Sequence, residues 1–274
     1  MDNLYLIRMF EKFDYDLSPD KADKLNRFYE LLIEWNKKVN LTAITEYEEV
    51  VLKHFIDSAL LLFMSNAESE YLTDDEQIMF DSIIDSGGVF DSSQPFPLCR
   101  LQAYIESDDV KVLDVGTGAG FPGIVLGILM PGWDITLLDS LNKRVEFLDT
   151  VIFELSLNNI HTVHGRAEDL ARDESHRLSY DIVLSRAVAE LPVLLELCTP
   201  FVSDEGLFIS YKGPKYEEEL ESCEHVFTEL HIRPRFVMYF DEREPKRYLV
   251  GFDHEDVFPD KYPRRAGMPA KRPL

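Results

Sequence analysis

The chain has 274 residues, of which 45% are hydrophobic and 29% charged, and its formal net charge at pH 7 is −23. This composition is typical of a globular protein with ample apolar material for a core. We expect a cytoplasmic protein with no membrane-spanning segment, because the amino end lacks a secretory pattern and no apolar run is long enough to cross a bilayer. The three cysteines, Cys99, Cys198 and Cys223, lack metal-binding spacing, so no metal site is expected.

The charge is unevenly distributed, so the total is a poor guide to binding partners. Residues 65–109 contain eleven acidic residues and one basic residue, a net of −10. Residues 261–274 contain no acid and five bases, a net of +5: Lys261, Arg264, Arg265, Lys271 and Arg272. We interpret residues 255–274 as a basic C-terminal tail. Its residues 261–274 are expected to be a mobile arm that contacts phosphates, with a solubilising terminus as the alternative.

Residues 1–64 are predicted to form a helical cap. Ser18, followed by proline, is a favourable helix start. A capping box from Thr45 to Glu48 predicts the start of a second helix. On that helix His54 and Asp57 are three residues apart and share a face. The favoured interpretation of His54 is a paired histidine in a helix–helix contact, and a catalytic role is the alternative.

Residues 65–109 are interpreted as an acidic insertion, with one short helix near residues 77–84 and otherwise loop or disorder. From residue 110 to 254 strand and helix patterns alternate, which predicts a parallel sheet covered by helices on both faces. The runs FVMYF and RYLVGFD are predicted to be a closing pair of strands.

The stretch KVLDVGTGAGFPG, residues 111–123, combines a buried strand, a glycine turn and the start of a helix. Gly116 and Gly118 allow the backbone to come close to a ligand. The spacing of Gly118, Gly120 and Gly123 also fits the dinucleotide-binding motif G-x-G-x-x-G. Two acids favour S-adenosylmethionine instead. Asp114, at the strand end, can face a cationic methionine group and would repel a pyrophosphate, and Asp139, ending the next strand, can accept hydrogen bonds from ribose hydroxyls.

Other charged residues follow the later strands at the same predicted edge of the sheet, where ligands bind in such folds. Glu168 follows the third strand and either receives an adenine amino group or simply begins the next helix. Arg186 ends the fourth strand and Lys212 the fifth. Lys143 and Arg144 begin the helix after the second strand, either as a basic lip beside the site or as ordinary solvated charges.

Several separate motifs, in order along the chain, resemble the glucose-inhibited-division-B family of small-subunit ribosomal RNA (guanine-N7) methyltransferases. They are EWNKKVNLTAI, KHFIDSALL, VLDVGTGAGFPGIVL, LLDSLNKRVEFL, HGRAEDL, LSRAVAEL, YKG, KRYLV and YPRRAGMPAKRPL. The resemblance covers all but about residues 65–109. It implies an α/β, class I (Rossmann-like) S-adenosylmethionine-dependent methyltransferase with an N-terminal helical cap.

The resemblance also implies residue roles. Cofactor contacts are expected at Gly116, Phe121, Ala167, Glu168 and Arg186, with Asp139 as the ribose-binding acid. The basic residues implied around an RNA-facing cleft are Lys143, Arg144, Arg186, Lys212 and Arg247.

Guanine N7 needs no deprotonation before methylation, so positioning should dominate catalysis. Arg186 and Lys212 are the catalytic candidates, because they can hold a phosphate or the guanine O6. Ribosomal RNA or the small subunit is the expected partner, and a monomer is expected. A methyltransferase of this fold with another substrate and a non-catalytic ribosome-binding module are the alternatives. Asp114 disfavours an NAD-dependent oxidoreductase.

Overall fold

The computed structural model describes residues 3–63, 97–240 and 246–274. Its α-helices are α1 Asn3–Glu11, α2 Pro19–Asn36, α3 Tyr47–Val50, α4 Asp57–Phe63, α5 Pro97–Ile105, α6 Gly123–Leu129, α7 Asn142–Leu155, α8 Ala167–Leu170, α9 Leu191–Cys198, α10 Tyr216–Glu221, α11 Glu224–Leu230 and α12 Met268–Lys271. Within these ranges, no helix has the length and apolar character needed to cross a membrane.

The strands form one sheet in the order β3-β2-β1-β4-β5-β7-β6. Their bounds are β1 Lys111–Val115, β2 Asp134–Asp139, β3 Ile160–His164, β4 Tyr180–Arg186, β5 Val202–Lys212, β6 Ile232–Phe240 and β7 Arg247–His254. The first five strands pair in parallel, and β7 is antiparallel to both β5 and β6. The predicted Rossmann-like α/β fold and its closing strand pair are confirmed.

Apolar runs explain the central strands. Val112 and Leu113 point to opposite faces of β1, and both are fully buried, as a parallel strand covered on both faces requires. Because β1 to β5 are parallel, their carboxyl ends lie along one edge of the sheet. Antiparallel β7 brings its first residues to that same edge, where Tyr248 is paired with Lys212.

The cap packs on this sheet through an apolar face of α2. Ser18 caps α2 by accepting a hydrogen bond from the Lys21 N–H, at 3.4 Å, so the predicted helix start is confirmed. Leu25 and Phe28 are fully buried, and the Phe28 ring lies 5.2 Å from the ring of Phe121 in the glycine turn. The cap and the sheet therefore share one hydrophobic core.

The second cap helix begins differently from the prediction. Its N-cap is Glu46, without a side-chain capping bond, so the expected Thr45–Glu48 capping box is wrong. After α3 the chain forms a π-helix, Val51–Ile56, before α4 continues it. Such wide turns are rare and frequently occur at functional sites; this one contains His54.

The expectation of loop or disorder across residues 65–109 outside the predicted helix is wrong for α5. Leu101 is fully buried in the core, and the Tyr104 hydroxyl donates to the Glu205 carbonyl at 2.9 Å. The run PLCRLQAYI contains no acidic residue, so the acidic composition of residues 65–109 as a whole does not describe it. The helix expected near residues 77–84 lies outside the described residues.

The expectation of a mobile C-terminal arm is also wrong. Tyr262 is 5% exposed, and Arg264 donates to both carboxylate oxygens of Glu196 on α9. Arg177 donates to the Tyr262 carbonyl at 3.0 Å. Two of the five bases of the segment form ion pairs, Lys261 with Glu229 and Arg264 with Glu196. The segment is therefore docked on the fold by contacts that its composition does not reveal.

Candidate functional site

The glycine turn after β1 wraps around the carboxylate that ends β2. Gly116 and Gly118 have φ angles of +71° and +61°, which side chains rarely tolerate. This backbone conformation aims the Gly118 N–H at Asp139 Oδ2, at 3.0 Å. The two predicted cofactor elements, glycine turn and strand-end acid, are thus in direct contact.

Asp114 holds the turn from inside. Its Oδ2 accepts from the Thr117 hydroxyl at 2.7 Å and from the Gly123 N–H at 2.9 Å. Burial raises the pKa of Asp114 to about 6, against the lowering effect of these hydrogen bonds. The other oxygen, Oδ1, is buried without a hydrogen-bond partner among the described residues.

Asp139 is similarly buried, with 2% exposure. Its Oδ1 accepts from the Leu141 N–H at 2.8 Å, and Oδ2 also accepts from Arg144 at 3.3 Å. Arg144 therefore lies beside Asp139, on the cofactor side of the edge, with exposed Lys143 next to it. Neither residue lines the cleft described below.

The third strand end contributes Ala167 and Glu168, which begin α8. Glu168 Oε1 accepts from the Gly267 N–H at 2.7 Å. The carboxylate that was expected either to bind adenine or to begin a helix does begin one, and it also anchors the C-terminal segment. That segment consequently supports the backbone of the third strand-end loop.

A cleft of about 400 Å³ opens beyond the ends of β4 and β5. Four of the lining residues are Lys or Arg and two are Asp or Glu, so its described lining is positive within an acidic protein. The lining residues are Ile44, Lys53, His54, Asp57, Arg186, Ala187, Ala189, Tyr211, Lys212, Gly213, Glu219, Arg247 and Tyr248.

Arg186 is placed in this cleft by contacts from both the cap and the glycine turn. Its Nη2 lies 3.0 Å from His54 Nδ1, and its Nη1 lies 3.9 Å from Asp57 Oδ2. The guanidinium carbon lies 5.4 Å from the centre of the Phe121 ring. Burial lowers the pKa of Arg186, with Asp57 acting in the opposite direction. An arginine in this setting stays charged.

Phe121, an expected cofactor contact, directs its ring toward the cap. The ring stacks on His54 with centroids 4.5 Å apart and is 6% exposed. Its side chain thus joins the cap to the cleft.

The remaining cleft cations are held by carboxylates. Lys212 donates to Glu219 Oε2 at 2.6 Å and to the Ala189 carbonyl at 3.2 Å. Arg247, the first residue of β7, donates from Nε to Asp57 Oδ2 at 3.0 Å. The structure therefore brings Arg186, Lys212 and Arg247 together in the cleft, three of the five basic residues that the resemblance implied there.

Asp57, Glu219 and His54 are site residues that sequence reasoning missed or placed elsewhere. The favoured interpretation of His54 as a paired histidine in a helix–helix contact is wrong, because His54 contacts Arg186 of β4, and Asp57 binds Arg247 of β7. Their i, i+3 spacing was the available signal, and it correctly put both on one face. That this face meets Arg186 follows only from the docking of the cap.

No group of three or more potential metal ligands is found in the described part of the chain. The described charged groups of the cleft instead form pairs with one another, such as Lys212 with Glu219 and Arg247 with Asp57.

Comparison with known proteins gives consistent matches. The family model described as rRNA small subunit methyltransferase G matches residues 21–75 and 98–249. Ribosomal RNA small subunit methyltransferase G of Streptococcus pneumoniae serotype 19F (strain G54) is 38% identical over 94% of this chain and 93% of its own. Its counterpart from Streptococcus thermophilus (strain CNRZ 1066) is 37% identical over 96% of each chain.

Solved structures are more distant. The Methanococcus jannaschii TYW2 structure in complex with AdoMet has a TM-score of 0.44 and 18% identity, covering 60% of this chain and 78% of that one. The Methanococcus jannaschii fibrillarin pre-rRNA processing protein has a TM-score of 0.44 and 12% identity, covering 55% and 69%. The sequence matches decide the family: the chain belongs to the rRNA small subunit methyltransferase G family.

Proposed function

We propose that this methyltransferase transfers the methyl group of S-adenosylmethionine to N7 of a guanine in small-subunit (16S) ribosomal RNA. The observation that carries the proposal is the positive cleft at the same sheet edge as the glycine turn and Asp139, joined to the turn by the contact of Arg186 with the Phe121 ring. An anionic substrate entering the cleft would meet Arg186, Lys212 and Arg247 next to the cofactor residues.

The strand-end residues fit the cofactor. Asp139 is proposed to bind the ribose. Oδ1 of buried Asp114, which has no hydrogen-bond partner among the described residues, offers a further acceptor. A Cβ built on Gly118 would meet only the Gly116 carbonyl, at 3.9 Å, so this side of the turn is open to a ligand. Ala167 and Glu168 would complete the adenine side. When bound, S-adenosylmethionine supplies an electrophilic methyl group.

The protein's part in the proposed reaction is positioning, because guanine N7 carries a free lone pair and needs no general base. Burial lowers the pKa of His54 to about 4, so it is neutral at pH 7. Burial raises the pKa of the Cys198 and Cys223 thiols, so neither is a thiolate nucleophile. These protonation states are consistent with direct transfer to the base.

Arg186 and Lys212 are proposed to hold the guanine O6 or a neighbouring phosphate. Guanidinium N–H groups match the guanine O6 and N7 acceptors. Arg247, Lys143 and Arg144 are proposed to contact the RNA backbone, where cations contribute most of the affinity. We further propose that the enzyme acts as a monomer in the cytoplasm, on ribosomal RNA or the assembled small subunit.

The test is transfer of a labelled methyl group from S-adenosylmethionine to small subunits, and to naked 16S RNA, prepared from cells lacking the modification. We expect the label on a guanine of 16S RNA. The RNA chain should be cleavable at this guanine after chemical reduction, a reaction that is specific for methylation at N7. Arg186→Lys keeps the charge and loses the planar fork, so kcat should fall by about tenfold or more. Methylation at another atom, or on neither RNA substrate, would overturn the proposal.

A further inference from the structure

We propose that His54 is a positioning residue that orients Arg186 by accepting a hydrogen bond at an unprotonated Nδ1. The inference rests on the proposed role of Arg186 in the reaction. Through Nδ1 of His54, the cap takes a direct part in shaping the substrate side of the site.

The neighbours of the imidazole decide which nitrogen carries the proton. Arginine remains protonated in proteins, so Nη2 of Arg186 can only donate, and Nδ1 of His54, 3.0 Å away, must accept. Nε2 then carries the proton and donates to Thr42 Oγ1 at 2.9 Å. The Thr42 hydroxyl oxygen also accepts from the Ile44 N–H at 3.1 Å, which fixes its position.

The Lys53 carbonyl is the competing partner of Nδ1, and the obligatory donor Arg186 decides between the two tautomers. The carbonyl lies 3.1 Å from His54 Nδ1 and 3.4 Å from Arg186 Nη1. Nδ1 cannot donate to the carbonyl while it accepts from Arg186, so the carbonyl accepts from Nη1. One guanidinium therefore donates to both the side chain and the backbone of the π-helix, a two-point contact that sets the plane of its fork.

Packing holds both partners in place. His54 is 8% exposed, and its ring stacks on Phe121 at an interplanar angle of 23°. Arg186 lies over the same Phe121 ring. One aromatic side chain of the glycine turn thus supports the histidine from the cap and the arginine from β4.

The surrounding charges favour the neutral ring. Burial, Arg186 and Lys53 lower the pKa of His54 to about 4, against a smaller raising effect of the Lys53 carbonyl. Asp57, three residues along, pairs with Arg247 from β7 and faces Arg186. Nδ1 therefore remains available as an acceptor throughout the physiological pH range.

The distinguishing experiment compares two amides at position 54. The oxygen of asparagine can occupy the place of Nδ1 and accept from Arg186, whereas the longer glutamine side chain places its amide near Nε2, next to Thr42. We expect His54→Asn to keep kcat within about threefold of wild type and His54→Gln to lose about tenfold or more. The apparent KM for S-adenosylmethionine should change little in either. The matched control is His161→Gln, at an exposed position of β3.

Equal losses in the two variants at equal thermal stability would overturn the inference, because simple packing would not distinguish the amides. If either variant fails to fold, nitrogen NMR of the wild-type imidazole decides: protonated Nε2 with unprotonated Nδ1 supports the proposal, and the opposite tautomer refutes it. A fully active Arg186→Lys would instead remove the proposed catalytic role of Arg186, while leaving the tautomer measurable by the same NMR experiment.

Discussion

Asp114 and Asp139 are individual residues on which both the folded turn and the proposed cofactor contacts depend. Each carboxylate accepts hydrogen bonds from the backbone of the glycine turn or its flanks. Asp114 is the more costly of the two to bury, because one of its oxygens lacks a partner within the described residues. We infer that stability is reduced at this position in favour of ligand binding.

The pH dependence of stability tests this inference. The pKa of Asp114 in the folded state is about 6, above its ordinary 3.8, so the folded state binds more protons and loses stability as pH rises from about 4 to about 6. Asp114→Asn abolishes this loss. The free energy of unfolding of the variant minus that of wild type should therefore rise by about 2–3 kcal/mol from pH 4 to pH 7.

The difference in free energy of unfolding between variant and wild type should be measured, by urea unfolding at each pH. Wild-type stability alone is not enough, because the titration of His54 changes it with pH in the direction opposite to Asp114. The folded-state pKa of His54, about 4, lies below the ordinary 6.5, so its contribution is present above pH 6.5 and is lost as pH falls toward 4. The variant should also bind S-adenosylmethionine more weakly. If the difference in free energy of unfolding does not vary with pH, the pKa of Asp114 is not raised in the folded state.

At the scale of elements, the C-terminal segment 255–274 behaves as part of the fold. The Arg264 side chain and backbone N–H converge on the Glu196 carboxylate of α9, which is fully buried. Gly267 binds Glu168 in the first turn of α8. The segment thereby connects two elements that follow β3 and β4, and it supports the expected adenine side of the site.

Arg264→Ala is expected to reduce the free energy of unfolding by about 3–5 kcal/mol, because it leaves the Glu196 charge buried without its partner. The affinity for S-adenosylmethionine, measured by calorimetry without RNA, should fall with it. The control is Arg265→Ala, at an exposed neighbouring position, which should change stability by less than about 0.5 kcal/mol. If both variants keep the stability and the S-adenosylmethionine affinity of wild type, the segment is a mobile arm after all.

Considered as a whole molecule, the protein has a net charge of −23 and two hydrophobic cores. The cap shares one core with the sheet, and the docked C-terminal segment packs into the other. A positive cleft on such a body attracts RNA only at short range, since salt screens charges beyond about 10 Å. The family match omits residues 76–97 between its two matched segments. The internal segment that the family match omits is therefore shorter than the acidic stretch 65–109.

Two replacements test which of these two segments can be removed without loss of folding. Exchanging residues 76–96 for a short linker should preserve folding and S-adenosylmethionine binding, because loop length costs little closure entropy. Exchanging residues 65–109 removes buried Leu101 with α5, and should reduce the free energy of unfolding by about 2–5 kcal/mol or more. Urea unfolding and calorimetry measure both. Equal stability of the two replacements would mean that α5 contributes nothing to the core.

Much of the fold and part of the site follow from local patterns. The alternation of strands and helices from residue 110 onward, the start of α2 at Ser18 and the glycine turn beside Asp139 were predictable, because caps and apolar periodicity act over a few residues. Arg186 and Lys212 end two successive parallel strands. Both were therefore predicted to lie at one edge of the sheet, where ligands bind in such folds.

The sequence by itself determined the family, the sheet and the strand-end edge, whereas tertiary structure decided the partners of the charged groups. His54 and Arg186 are 132 positions apart, and Asp57 and Arg247 are 190 apart. Composition suggested a mobile tail, yet Arg264 reaches the buried carboxylate of Glu196. Local patterns reflect backbone geometry and periodic burial, but an ion pair forms only where packing brings two distant charges together and removes water from them.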